Sequence, residues 1–227
     1  MVNKQIGVEV LVVDLCETLF FEDTTVGLIS FHLKRSDKFY WRKLALFFLA
    51  HHASPIHFVS KAFEWLTNRQ FSKNLIIRLL TGVNVKDLDE SAIKYADYLI
   101  SNKKIPSVWA TIARIDRQVT LVASASLEPI VKVIARHLNA YYVASELQVR
   151  DGAFTGRYRK DITGEKEHAI LLKYGSGRLQ RGLAVITDNL SDLRLITRAK
   201  YRFVVIHKER QLARWCQLSA EYIRVKS

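Results

Sequence analysis

The stretch Val10-Leu11-Val12-Val13-Asp14-Leu15-Cys16-Glu17-Thr18-Leu19-Phe20 decides the architecture. A run of apolar, mostly β-branched residues ends abruptly on a carboxylate, and a threonine follows four places later. A continuous apolar run of this kind reads as a strand buried on both faces of a parallel sheet, here residues 8–13. Asp14 then stands at the strand's carboxyl end, where open α/β sheets bind their ligands. A carboxylate there serves as a nucleophile or a metal ligand. The segment alone equally allows Asp14 to cap the next turn.

On the carboxyl side, Glu22-Asp23-Thr24-Thr25 reads as a turn and a helix N-cap. From there to about residue 105 the pattern is helical and dense in aromatics. Ile56, Val59, Phe63 and Leu66 recur at helical spacing, as do Ile93, Ala96, Leu99 and Ile100. Pro106 closes this block. Strands and helices then alternate. Val119–Ala123 is a strand ending at Ser124-Ala125-Ser126, followed by a helix with Ile130, Ile134 and Leu138 on one face. Tyr141–Ala144 is a short third strand, and Asp151-Gly152 marks a hairpin turn. Thr163-Gly164-Glu165-Lys166 opens another helix. Leu183–Thr187 and Tyr201–Ile206 are further strands, and an amphipathic helix carries Leu212, Trp215 and Cys216. The expected fold is α/β: a Rossmann-like, mostly parallel sheet core, residues 1–22 and 106–227, with an α-helical cap, residues 23–105, inserted after the first strand.

Composition bounds the function. The 227 residues carry a formal net charge of +13, which suits an anionic partner: phosphate groups, nucleic acid or an acidic membrane surface. No stretch reaches the 18 or so apolar residues of a membrane span. The N-terminus leads straight into the first strand with no cleavable signal, and Cys16 and Cys216 are too far apart for a zinc motif, so a reducing cytoplasm is expected. Tyr174-Gly175-Ser176-Gly177-Arg178 lacks the ending of a phosphate loop and reads as a turn.

Polar groups gather at strand ends and helix starts in four places: Asp14 with Thr18, Ser124, Lys166, and Asp188 with Asp192. In a parallel sheet these ends share one edge, so carboxylates, a hydroxyl and a lysine converge there. That set suits phosphoryl transfer. In this order the motifs resemble the haloacid dehalogenase superfamily, above all its phosphoserine-phosphatase-like branch, which carries a helical cap after the first strand. Asp151-Gly152-Ala153-Phe154-Thr155-Gly156 is also similar to that branch.

The resemblance implies a hydrolase with Asp14 as nucleophile, passing through an aspartyl-phosphate, and Thr18 within the catalytic motif. It implies magnesium (Mg2+) held by Asp14, the Cys16 carbonyl and Asp188, with Asp192 as ligand or orienter. Ser124, Ala125 and Lys166 would hold the phosphate. The pattern departs from the family at Cys16, where its phosphatases have the aspartate that acts as general acid and base, and at Glu17, where glycine is common. A thiol, with an unperturbed pKa of about 8.5, is a poor substitute for a carboxylate. The leaving group then needs another acid or no proton at all.

The cap adds basic residues, Lys34, Arg35, Lys38, Arg42, Lys43, Lys61 and Arg69. Its segment Phe39–Leu49 combines an aromatic-basic flank with an apolar run. A phosphorylated small molecule or a lipid-linked phosphate is the expected partner, with peripheral contact at the inner face of a membrane as an option. His51, His52 and His57 fit no defensible metal spacing. Two other readings stay open. One is a non-catalytic or weakly active relative that binds a phosphorylated ligand. The other is a nucleic-acid module built on Arg194, Arg198, Lys200, Arg202, Lys208, Arg210 and Arg214, which is not expected because no nucleic-acid motif is present.

Overall fold

The computed structural model describes residues 6–35, 40–50, 71–179 and 182–225. The apolar run forms β1 (Ile6–Val13) at the centre of a seven-stranded sheet. Its neighbours are β2 (Ile115–Leu127) and β5 (Leu183–Thr187), both parallel to it, with Val13 level with Val122 and Ile186. Outside β2 lie β3 (Tyr141–Arg150), parallel to it, and β4 (Ala153–Lys160), antiparallel to β3; outside β5 lie β6 (Tyr201–Ile206) and β7 (Glu221–Arg224), both parallel. Both faces of β1 are covered, as a parallel sheet requires. Leu11 and Val13 join a large apolar cluster on one side, and Val10 and Val12 join a second cluster on the other.

Among the described residues, four helices follow β1 before the next strand's own leading helix: α1 (Thr24–Lys34), α2 (Tyr40–Ala50), α3 (Phe71–Arg78) and α4 (Val85–Asn102). Asp23 caps α1 by accepting from the Thr25 and Val26 amides at 2.9 and 3.1 Å. α5 (Pro106–Arg114) then leads into β2, and α6 (Glu128–His137) follows it. Leu28, Ile29 and Leu33 of α1 and Leu88, Ala92, Tyr95 and Leu99 of α4 share one core with Ile130, Val131 and Ile134 of α6. Two backbone seams join the helical insertion to the sheet. At its base, Phe21 N donates to Lys103 O and Ile105 N to Leu19 O; at its far end, Gly82 N donates to Phe154 O and Phe154 N to Val83 O. Gly156 lets β4 approach α3: a Cβ there would sit 2.2 Å from Thr81 Oγ1 and 3.0 Å from Arg78 Cα.

Several local expectations change. The third strand is longer than residues 141–144, because it continues to Arg150 and returns as β4 through a turn with positive φ at Asp151 and Gly152. In α4 the buried face is Leu88, Ala92, Tyr95, Ala96 and Leu99; Ala96 and Leu99 lie on it as expected, while Ile93 is exposed. The last helix, α9 (Leu212–Trp215), is a single turn that leaves Cys216 exposed. β7 was not foreseen; four residues with one buried side chain leave little pattern. The turn at Gly175 stands, with α7 (Lys166–Tyr174) ending before it. The helical stripe at Ile56–Leu66 and His51, His52, His57, Lys38, Lys61 and Arg69 lie outside the described residues. Among the described residues no helix is long and apolar enough to cross a membrane.

Candidate active site

The site starts where β1 stops. Asp14 N donates to Ile186 O at 3.0 Å, one step beyond the last paired residue, so the ladder itself holds the carboxylate at the sheet edge. Asp14 Oδ1 accepts from Leu15 N at 2.7 Å. Its Oδ2 meets Lys166 Nζ at 2.8 Å, and the same ammonium donates to Asp192 Oδ2 at 2.8 Å. Thr187 Oγ1 donates to that Asp192 oxygen at 2.7 Å, while Asp192 Oδ1 is buried with no partner among the described residues. Lys166 is the first residue of α7, and Asp192 immediately precedes α8 (Leu193–Arg198). Strand ends and helix starts therefore supply every group, as the topology demands.

These charges are buried: Asp14 is 5% exposed and Lys166 3%. Burial raises the Asp14 carboxyl to about 7; Lys166 pulls it back, and Asp192 and Asp188 push it higher. Burial works against the Lys166 ammonium, but Asp14 and Asp192 outweigh it, and lysine holds its proton above the ordinary range. Burial likewise raises Asp188, opposed by its hydrogen bond from Thr18 and by Lys166. Thr18 splices the two loops together. Its hydroxyl donates to Asp188 Oδ1 at 2.8 Å and accepts from Asp188 N at 3.1 Å.

The other half of the rim is uncharged. Cys16 Sγ shares hydrogen bonds with Thr24 Oγ1 at 3.0 Å and Ser126 Oγ at 2.9 Å, and accepts from Thr24 N at 3.3 Å. Thr24 and Ser126 hydroxyls meet at 2.7 Å, and Ser124 Oγ donates to Ser126 Oγ at 3.2 Å. Burial pushes the Cys16 thiol up to about 12, and of the charges around it Asp23 adds most, ahead of Asp14. A thiol in that condition carries its proton at neutral pH. Glu17 follows with φ of 52°, the left-handed conformation that favours glycine, and its carbonyl bonds His207 Nε2 at 2.5 Å. Its side chain points towards His207, away from Asp14.

The structure thus joins Asp14, Lys166 and Asp192 directly, and places Asp188, with Thr18, within their electrostatic reach. It does not bond Ser124 to that group; its hydroxyl belongs to the Cys16 network, and Ala125 beside it is half-buried. Thr24, Ser126, Thr187 and His207 were missed. Thr187 and His207 sit at the ends of β5 and β6, so the strand-end rule applied to every polar residue would have found them.

The donor set at this rim is rich in hard oxygen ligands, as a divalent cation requires. Asp192 and Asp188 both push the Asp14 carboxyl up, with Lys166 as the buried counter-charge, so the rim holds negative charge that a dication would balance. Among the described residues no three His, Cys, Asp or Glu side chains form a ready-made cage. Magnesium takes one or two carboxylates and completes its shell with backbone, water and phosphate oxygens, and Asp14 and Asp188 supply that number at one rim. The residues fit the ion.

A parallel sheet with a helical insertion after its first strand, and an aspartate-lysine-aspartate cluster at its carboxyl edge, defines a Rossmann-like α/β protein with a carboxylate at the end of its central strand. A family model for haloacid dehalogenase-like hydrolases matches residues 11–197, and the chain belongs to that family. The fold is shared with a protein of unknown function from Bordetella pertussis Tohama I, at 13% identity and a TM-score of 0.66 over 96% of this chain and 98% of that one. It is similar to a probable phosphoserine phosphatase from Vibrio cholerae, at 12% identity and a TM-score of 0.58 over 93% of this chain and 61% of that one. It is also similar to a phosphoserine phosphatase in a phospho-aspartyl intermediate analogue form, at 16% identity and a TM-score of 0.55 over 97% and 94%. No curated protein sequence matches the chain significantly.

Proposed function

We propose that the chain is a magnesium-dependent hydrolase of phosphate monoesters that works through an aspartyl-phosphate on Asp14. The observation that carries this reading is the buried Asp14–Lys166–Asp192 chain of ion pairs at the sheet edge. Asp14 attacks phosphorus, which requires its carboxylate form. Lys166, kept cationic by two carboxylates, holds the phosphate oxygens together with Ser124 and the Ala125 backbone. Asp192 orients the lysine through the oxygen that serves Lys166 and Thr187, and its other oxygen, buried without a partner among the described residues, is open to the metal. Asp14, Asp188 and the Cys16 carbonyl hold magnesium, which when bound neutralises charge on the phosphate. Thr18 fixes Asp188. Residues 23–105 form the cap that selects a phosphorylated small molecule or lipid-linked phosphate.

Cys16 does not serve as acid or base: three hydrogen bonds and burial keep it a neutral thiol. Of the cations that suggested nucleic acid, Arg198 pairs with Glu167, and Arg202 donates to the Ala199 and Thr197 carbonyls, so part of that charge is spent within the protein. A membrane contact rests on Trp41 and Leu44, both exposed on one side of α2. Co-sedimentation with anionic vesicles tests it, and protein left in the supernatant removes it. The main test is a screen of phosphorylated metabolites with magnesium, run on the protein and on Asp14→Asn. Turnover lost in the variant supports the reading; equal turnover in both sinks it.

A further inference from the structure

We propose that His207 is a positioning residue for the magnesium site: its ring holds Glu17 in the left-handed conformation that aims the Cys16 carbonyl and the Thr18 hydroxyl at the rim. The role rests on the metal-binding part of the proposed function and brings the end of β6 into it.

Glu17 stands between two groups that the site uses. On its amino side is the Cys16 carbonyl, a magnesium ligand in that reading. On its carboxyl side is Thr18, whose hydroxyl donates to Asp188 Oδ1 at 2.8 Å and accepts from Asp188 N at 3.1 Å. The φ and ψ of residue 17 are the torsions that relate the two flanking peptide planes, so they set where the Cys16 carbonyl points once Thr18 is fixed. The rest of the loop is held. Asp14 N donates to Ile186 O and Leu19 N to Leu15 O, both at 3.0 Å, and Leu15, Thr18 and Leu19 are fully buried. A change of conformation at Glu17 therefore turns the Cys16 carbonyl.

Glu17 has a φ of 52°, where a Cβ crowds the backbone and glycine alone rests freely. Such a conformation persists when its surroundings hold it. Here His207 does so, with Nε2 at 2.5 Å from Glu17 O. A carbonyl only accepts, so Nε2 carries the hydrogen. The Glu17 carboxylate is 3.8 Å from the same nitrogen and half exposed, so the short bond is the one to the backbone.

His207 directly follows β6, and its own place is fixed twice. Its amide donates to Gln211 Oε1 at 2.8 Å, and its ring meets Phe21 edge-on with centroids 6.2 Å apart. The rigid strand end thus supplies to residue 17 the restraint that its side chain opposes.

The test is a set of paired substitutions read by magnesium binding, measured by calorimetry on the full chain. His207→Ala should weaken magnesium on the order of 10-fold, the scale of losing a partner that orients a metal ligand. In Glu17→Gly the same change should cost far less, because glycine keeps the left-handed conformation unaided. In Glu17→Ala, which removes the carboxylate but keeps a Cβ, the cost should stay as large as in wild type. A charge effect or a packing role of His207 would not separate Gly from Ala. His207→Phe keeps the contact with Phe21 but has no donor, and it replaces His207→Ala throughout if that variant fails to fold. Equal cost in all three backgrounds, no cost in any, or relief by Ala as well as by Gly overturns the proposal and leaves the phosphatase reading standing. A wild type that binds no magnesium overturns both. The expected pattern of binding without turnover of any phosphate ester supports the role of His207 and sinks the phosphatase reading alone.

Discussion

The two halves of the catalytic rim, built on adjacent strand ends, are opposite in kind. On the β5 side Asp14, Lys166 and Asp192 form a charged chain with 2.8 Å links. On the β2 side Cys16, Thr24, Ser124 and Ser126 form a neutral network of thiol and hydroxyls. On the proposed reading, the charged half supplies a nucleophile, a cation and an orienter for that lysine, while the neutral half holds Cys16 where a general acid and base would stand. Capture and release of the phosphoryl group are then separable demands, and one can change while the other stays intact.

The contrast breaks most severely at Asp14. Asp14→Asn should lower phosphoryl transfer on the order of 10,000-fold or more and abolish trapping by beryllofluoride; a variant that is still trapped removes the nucleophile from the charged half. The same variant reads the buried charge. A carboxyl whose folded pKa is raised from 3.8 to about 7 adds stability that is fully present below about 4 and lost as pH rises through about 7. Without divalent cation, wild type should therefore lose stability relative to Asp14→Asn between those limits in urea titrations. Parallel curves would show that Asp14 is ionised at no cost.

Lys166→Met leaves two carboxylates buried without their cation. Removing one partner of a buried pair costs about 3–5 kcal/mol, so urea denaturation at pH 8 should show a loss of that order. The loss should shrink at pH 5, where the Asp14 carboxyl, raised by burial to about 7 even beside the lysine, takes up its proton. A loss independent of pH would assign the effect to packing of the lysine stem.

The two halves were also unequally legible. The charged half was readable because each member ends a strand or starts a helix, and one topological rule gathers them at one edge. The neutral half announced itself only as a departure, Cys16 in place of an aspartate. Its partners Thr24 and Ser126 are common small residues, and their meeting depends on side-chain rotamers that no periodicity encodes. The fold shows the same division. Long apolar strands such as β1 and β5 were plain, whereas β7, with one buried residue, and the helical stripe of α4, which leaves Ile93 exposed, were decided by packing. Glu17 held a legible hint: a position where glycine is common takes φ of 52° here, and His207 anchors its carbonyl.

Cys16→Asp tests whether the neutral half can be recharged. The Thr24 amide and the Thr24 and Ser126 hydroxyls, now on sulfur, can all donate to a carboxylate. Release should accelerate, with alkyl phosphate turnover rising on the order of 100-fold. An inert variant that still binds magnesium would show that the cap, not the missing acid, limits the reaction.

The smallest effect sharpens the comparison from the neutral side. Tyr95 belongs to the cap, yet its hydroxyl ends beside Gly27 and feels Glu22, then Cys16 and Asp23. Burial raises its pKa first, and each of those neighbours raises it further, so the phenol stays protonated and presents a donor with no acceptor among the described residues. In the unliganded protein that donor has forfeited its bonds to water. Tyr95→Phe should accordingly stabilise the protein by about 1 kcal/mol, seen as a higher urea midpoint at unchanged slope. A lower midpoint would mean that the hydroxyl is already satisfied in solution, by a water within the seam, and that the neutral half is better completed than its protein contacts show.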